Sequence, residues 1–223
     1  MKNLRMEDLS TEQKVGMLLC ARSFRTEEDI EFTVELIRNH ALGCVQVPVF
    51  RPDIMARVKE AADYPILIIT DMEMGFPTSE LPPVPLMTLA ACGKPEYYRS
   101  FARAVVADAK KAGYNGTWNP NMDLGASQRR ISDDPEVVAK GAEEISRIYA
   151  NNSFMNCGKH YPGGTHRFDS HMANTASYTT KEELLNEKLV PYFRLMEKGL
   201  LDSVMVGHSV YEDIDPENPA TLS

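Results

Sequence analysis

The densest chemistry in the chain is the run Lys159-His160-Tyr161-Pro162-Gly163-Gly164-Thr165-His166-Arg167-Phe168-Asp169-Ser170-His171. It joins three histidines, a carboxylate and a Gly-Gly hinge to the end of an apolar stretch. In extended backbone, Asp169 and His171 project to the same side. A carboxylate so placed holds an imidazole in one tautomer and favours its charged form. That makes His171 a poised proton donor for acid–base chemistry. Two other readings stand beside this one. His160, His166, Asp169 and His171 could ligate a metal, or the run could be a solvated loop with incidental histidines. No HExxH or comparable ligand pair supports the metal reading.

Further polar residues fall where strands should end: Asp71, Asp123 and His208, besides Lys159 and His160. The elements that place them are legible. Ser10-Thr11-Glu12-Gln13 is a capping box, and Val15, Met17, Leu18 and Leu19 follow it as a helix face. Thr26 opens a second helix to about His40, and Pro52 a third to Ala62. Pro95 starts a long helix ending near Gly113. Asp134 caps one to Asn151, and Thr180 caps one through Lys198. Between them, Gly43–Val49, Pro65–Asp71, Gly116–Asp123, Phe154–Lys159 and Ser203–His208 read as strands. The run Pro65-Ile66-Leu67-Ile68-Ile69-Thr70-Asp71 does not alternate, as expected of a strand covered on both faces. The tail, Tyr211–Ser223, reads as acidic, proline-rich loop.

Alternating strand and helix demands crossover connections, hence a parallel α/β sheet. No Gly-x-Gly-x-x-Gly follows Val49 or Asp71, and no GxxxxGK[ST] occurs, so nucleotide binding is unsupported. Polar residues at successive strand C-termini fit the rim of a (β/α) barrel.

Composition sets the outer bounds. The 223 residues suit one domain, with 43% hydrophobic and 25% charged residues. The net charge of -8 argues against a nucleic-acid partner. No run is long enough to span a membrane, and the N-terminus has no apolar signal core, so no membrane is expected. Cys20, Cys44, Cys92 and Cys157 form no CxxC pair and read as free thiols, with Cys44 and Cys157 buried, in a reducing cytoplasm.

The Lys159-His160-Tyr161-Pro162-Gly163 stretch, with Asp169-Ser170-His171, resembles the KHFPG…DSH motif of glycoside hydrolase family 3, most of all its β-N-acetylglucosaminidase branch. Other segments agree in order. Leu9–Leu19 resembles the family's opening helix, and Ile68–Glu73 its strand ending in DxE. Arg129 resembles the arginine before its DP, here Asp134-Pro135. Val204–His208 resembles VMVAH, and Asn218–Ser223 resembles PASLS. The resemblance covers essentially the whole chain.

That resemblance implies a (β/α)8 TIM-type barrel, of which about the first five strands are present, in one domain over 1–223. It implies retaining, exo-acting hydrolysis of terminal β-linked sugars, chiefly N-acetyl-β-D-glucosaminides, without metal or organic cofactor. His171 is then the acid/base, oriented by Asp169. Asp71, Arg129, Lys159 and His160 grip the sugar. The nucleophile, an Asp after PASLS, is expected beyond Ser223, so the chain alone is expected to be inactive. Asp213 and Asp215 are the conceivable substitutes.

Three departures stand out. Gly163-Gly164-Thr165 replaces GHG, and the loop is one residue shorter. The stretch after Asp71 also lacks an expected arginine. A glycoside phosphorylase on the same scaffold and a non-catalytic sugar-binding remnant are the alternatives. Unpaired barrel edges imply self-association.

Overall fold

Capping chemistry starts the helices where the sequence places it. In the computed structural model, which describes residues 5–22, 24–48, 50–125, 127–163 and 175–223, Ser10 accepts the Gln13 N–H. The Gln13 side chain bonds back to Ser10, opening α1 (Thr11–Gly16). The chain continues through β1 (Cys20–Ala21), α2 (Glu27–Arg38), β2 (Cys44–Gln46), α3 (Pro52–Ala61) and β3 (Leu67–Thr70). Then come α4 (Leu86–Cys92), α5 (Pro95–Ala112), β4 (Gly116–Thr117), α6 (Pro135–Asn151) and β5 (Cys157–Tyr161). It ends with β6 (Ala176–Ser177), α7 (Lys181–Glu183), α8 (Val190–Glu197), β7 (Ser203–Val206), β8 (Val210–Tyr211) and β9 (Asp215–Pro219). Among the described residues no helix is long and apolar enough to cross a membrane.

Two units organise these elements. The first comprises Met1–Asp71 with Asp108–Thr117. Here β1, β2, β3 and β4 form one parallel sheet in that order. Val45, Ile68 and Ile69 are buried in it, as the unalternating sequence requires. The strand β1 corrects the sequence reading, which ran the first helix through Leu19. The helix stops at Gly16 because that residue packs directly on Ala41, and a Cβ there would land on the Ala41 carbonyl. Gly43 donates to the Gly16 carbonyl at 3.2 Å, and Cys44 to that of Leu19, drawing the chain beside β2. Leu18, expected on a helix face, is 85% exposed.

Cys20 and Cys44 are register partners on β1 and β2, with Sγ atoms 3.1 Å apart. None of the four cysteines is in a disulfide; Cys44 and Cys157 are buried, Cys20 and Cys92 exposed. The thiol–thiol hydrogen bond lowers the pKa of Cys20, with Arg22 adding to the effect. The same bond, with burial, raises that of Cys44. Iodoacetamide at neutral pH is therefore expected to alkylate Cys20 well before Cys44, since the thiolate is the reacting species. Peptide mass spectrometry over a time course checks this, and equal rates would refute it.

The second unit comprises Met72–Ala107 with Trp118–Ser223. Asp134 caps α6, whose buried face includes Val138, Ala142, Ile145 and Tyr149. That face packs on α8, where Tyr192 and Leu195 are also buried. Large side chains buried this way contribute about 1.5–3 kcal/mol each. The strands β5 and β7 pair in parallel. Backbone from Asn119 to Met122 runs beside β5: Cys157 donates to the Asn119 carbonyl, Lys159 to that of Pro120, and Met122 to that of Lys159. Only Gly116–Thr117 of the expected Gly116–Asp123 strand pairs regularly, because Pro120 has no N–H to give.

The expected Thr180–Lys198 helix is interrupted over Leu184–Lys188 by a wider turn in which Leu189 N–H reaches the Leu184 carbonyl. Pro191 cannot donate in a regular helix, and the wide turn accommodates it. The tail is not loop throughout. Strand β8 pairs with β6 in parallel and with β9 antiparallel.

Candidate active site

Asp71 follows β3 and belongs to the first unit, where Gln46 Nε2 on β2 donates to its Oδ2 at 3.3 Å. A carboxylate leaving the end of a buried parallel strand sits where such sheets gather their chemistry.

The second unit gathers three charges from three segments. Arg129 donates through Nε and Nη2 to the two Glu73 oxygens, at 2.7 and 2.9 Å. Lys159 Nζ lies 2.6 Å from Glu73 Oε1. The Lys159 side chain is only 2% exposed and Glu73 9%, while Arg129 is 50% exposed. Burial alone would raise the Glu73 pKa, but the Arg129 fork and the Lys159 ammonium outweigh it and hold it at about 2. Glu73 is thus shared by two cations. Arg130, the next residue, instead bonds the Leu124 carbonyl.

His160 is held by a second carboxylate. Its backbone N–H donates to Asp123 Oδ1 at 3.0 Å, and its Nδ1 lies 2.8 Å from Asp123 Oδ2. Burial opposes ionisation of Asp123, yet the His160 contacts lower its pKa. An ionised carboxylate only accepts, so Nδ1 carries the proton and Nε2 remains as the other ring nitrogen. The pairing of β5 with β7 shifts register between Lys159 and Tyr161, leaving His160 without a partner on β7. Such irregularities re-aim a side chain. They let consecutive residues serve different partners, with Lys159 on Glu73 and His160 on Asp123. The Lys159–His160 and Tyr161–Pro162 peptides are cis.

The sequence reading named Arg129, Lys159 and His160: the first two meet on Glu73, and His160, next along β5, is held separately by Asp123 in the same unit. It assigned no role to Glu73, although Asp71-Met72-Glu73 was noted as a motif, and placed Asp123 at a strand end without naming its partner. Asp169 and His171 lie outside the described residues, as does His166, so the acid/base pair and the metal alternative have no geometry here. Among the described residues no three His, Cys, Asp or Glu side chains gather into a metal-binding group. His208 is exposed, its Nδ1 3.3 Å from Thr221 Oγ1. Trp118 is half-buried. Asp213 accepts the N–H of Lys181 at the start of α7, and Asp215 accepts the N–H groups of Glu217 and Asn218 in a local turn.

Known proteins resemble this chain along nearly its whole length. The profile described as "Glycosyl hydrolase family 3 N terminal domain" matches residues 6–223. A beta-hexosaminidase of Xanthomonas oryzae is 31% identical over 187 residues, covering 77% of this chain and 55% of the relative. One from Nitrosomonas eutropha is 26% identical over 188 residues, covering 77% and 53%. The chain thus spans about half the length of these curated relatives. Among solved structures, a family 3 beta-N-acetylglucosaminidase from Paenibacillus superposes with a TM-score of 0.83 at 24% identity, over 96% of this chain and 45% of that one. A beta-N-acetylhexosaminidase from Beutenbergia cavernae superposes with 0.81 at 24% identity, over 97% and 72%. The parallel α/β fold is therefore that of the family's barrel domain, and the chain belongs to glycosyl hydrolase family 3.

Proposed function

We propose that the chain is the N-terminal part of a retaining, exo-acting β-N-acetylglucosaminidase barrel. The observation that carries this is the convergence of Arg129 and Lys159 on buried Glu73, with adjacent His160 fixed by Asp123. These are the positions at which the family's motifs recur, and the relatives' names add support. In this reading Glu73 and Asp123 are positioning residues. Glu73 orients two cationic donors, Asp123 sets the tautomer of a third, and all three donors grip hydroxyl and amide oxygens of the terminal sugar. Asp71 accepts from two adjacent sugar hydroxyls.

Chemistry then divides between two faces of the sugar. A carboxylate attacks the anomeric carbon as the bond to the leaving oxygen breaks, and His171 gives that oxygen its proton. In the second step His171 takes a proton from water, whose oxygen displaces the carboxylate. Asp169 keeps His171 oriented and charged. The attacking Asp follows the stretch matching PASLS and is supplied from beyond the 223 residues. Asp213 and Asp215 are poor substitutes, because backbone N–H groups already occupy them.

The test compares this chain with a version extended through the following strands, on an aryl N-acetyl-β-glucosaminide. The extended version should turn over and the 223-residue chain should show no measurable hydrolysis. Among the described residues β1 and β7 each have a single strand partner, so the shorter chain should also self-associate on gel filtration. Equal turnover by both would overturn the assignment of the nucleophile.

A further inference from the structure

The first unit holds a cavity of about 640 Å³ whose walls include Arg22, Arg25 and Arg51. Three guanidinium groups around one cavity are unexpected in a chain of net charge -8. Arg51 is matched by Asp53, through contacts of 2.9 and 2.6 Å. Arg22 and Arg25 are not: among the described residues neither guanidinium makes an ion pair or hydrogen bond. The nearby acid Glu27 is engaged by Arg57 at 2.6 Å. The Asp29 carboxylate accepts the Arg25 backbone N–H at 3.1 Å, so the cavity carries two guanidinium groups without a side-chain partner among the described residues. Ile54, in the first turn of α3, lines it as well, and Arg51 caps that helix without a side-chain bond. Helix starts favour anions. Phe24 supplies an apolar wall of the kind against which a sugar ring packs.

The position in the sheet gives the cavity its meaning. Val47 and Pro48 line it and directly follow Gln46, the β2 residue that bonds Asp71. Arg22 directly follows β1, the next strand over. The cavity therefore lies one to two strands from Asp71, roughly 5–10 Å at the usual strand spacing. On the reading above, Asp71 holds two adjacent hydroxyls of the terminal sugar. In an N-acetylglucosamine ring the C2 position carries the acetamido group, so those hydroxyls are at C3 and C4. The exocyclic C6 hydroxyl extends beyond them.

We propose that this cavity is a subsite for a phosphate ester on the terminal amino sugar, most simply at C6, so that the substrate is a phosphorylated glycoside. The inference rests on the glycosidase reading for the placement of the sugar, though not for the cavity itself. The Arg22 and Arg25 guanidinium groups fit a phosphate monoester, which carries about −1.5 to −2 near neutral pH. The guanidinium fork also suits its oxygens.

The test is calorimetric binding to the full chain at fixed ionic strength. The probes are N-acetylglucosamine, its 6-phosphate, glucuronic acid and inorganic phosphate. The 6-phosphate should bind at least about tenfold more tightly than the unphosphorylated sugar. R22A/R25A, at two exposed positions, should remove that excess while circular dichroism verifies the fold. Equal affinity for the sugar and its 6-phosphate would overturn the subsite and leave the glycosidase reading standing. A glucuronic acid affinity matching the 6-phosphate would overturn the phosphate assignment. Binding of inorganic phosphate that R22A/R25A abolishes, without any sugar binding, would support the anion cavity and sink the glycoside reading. No binding of any probe would overturn both.

Discussion

Glu73→Gln lowers the unfolding free energy by about 3–5 kcal/mol at neutral pH. The effect is large because the substitution removes the Glu73 carboxylate from beside the Lys159 ammonium, which is 2% exposed. Arg129 is half exposed and regains water, so Arg129→Ala costs far less. The pH dependence has a definite sign. Glu73 titrates near 4.5 when unfolded and at about 2 when folded. A depressed folded pKa stabilises the protein above the unfolded value, and that stabilisation is lost as pH falls from about 4.5 towards 2. It amounts to about 3 kcal/mol. The variant should lack this acid-side loss, so the two stability curves should converge as pH falls. Urea unfolding at several pH values between 7 and 3 measures this. A neutral-pH change under about 1 kcal/mol would show that the triad is not a buried ion cluster. The double variant E73L/K159M should recover much of the loss, because it removes the buried carboxylate and the buried ammonium together.

That cluster also shows where sequence reading stops. Arg129 and Lys159 were identifiable as cations at motif positions, yet nothing local marks Glu73 as their shared partner. The contact closes over 56 residues between Glu73 and Arg129. Periodicity and capping report local structure, and a buried ion pair is not local. The same holds for Asp123 and His160, 37 residues apart.

The fold divides along the same line. Pro65–Asp71 was legible because a strand covered on both faces must be continuously apolar, and α6 because Asp134-Pro135 carries its own start signal. The strand β1 was not, since two residues carry no period and Leu18-Leu19 before them mimic a helix face. Strand β9 was hidden by Pro216 and Pro219, residues that argue against a strand except at an edge or end. The break before α8 follows from Pro191, which was visible but gave no indication that the chain would widen the turn instead of stopping.

In the version extended through the following strands, His171→Ala cuts kcat by about 10²–10⁴-fold on glycosides with poor leaving groups and leaves KM nearly unchanged. The argument is one of leaving-group chemistry. An alkoxide departing from the anomeric carbon needs a proton in the transition state, whereas para-nitrophenolate departs without one. On the para-nitrophenyl N-acetyl-β-glucosaminide the first step should therefore lose much less. On the proposed mechanism His171 is also the base of deglycosylation, so that step should then become limiting and a burst of nitrophenolate should appear. Asp169→Asn should produce a smaller loss on poor leaving groups together with a lower pKa on the alkaline limb of the kcat profile, where His171 must be protonated, because the imidazolium loses its countercharge. A structural role for either residue would depress all substrates alike and leave the pH profile in place. If affinity collapsed while kcat held for both leaving groups, proton transfer would have to be assigned elsewhere. His160 would then be the residue to examine, because its Nδ1 is already committed to Asp123 and its Nε2 is the nitrogen left for proton exchange.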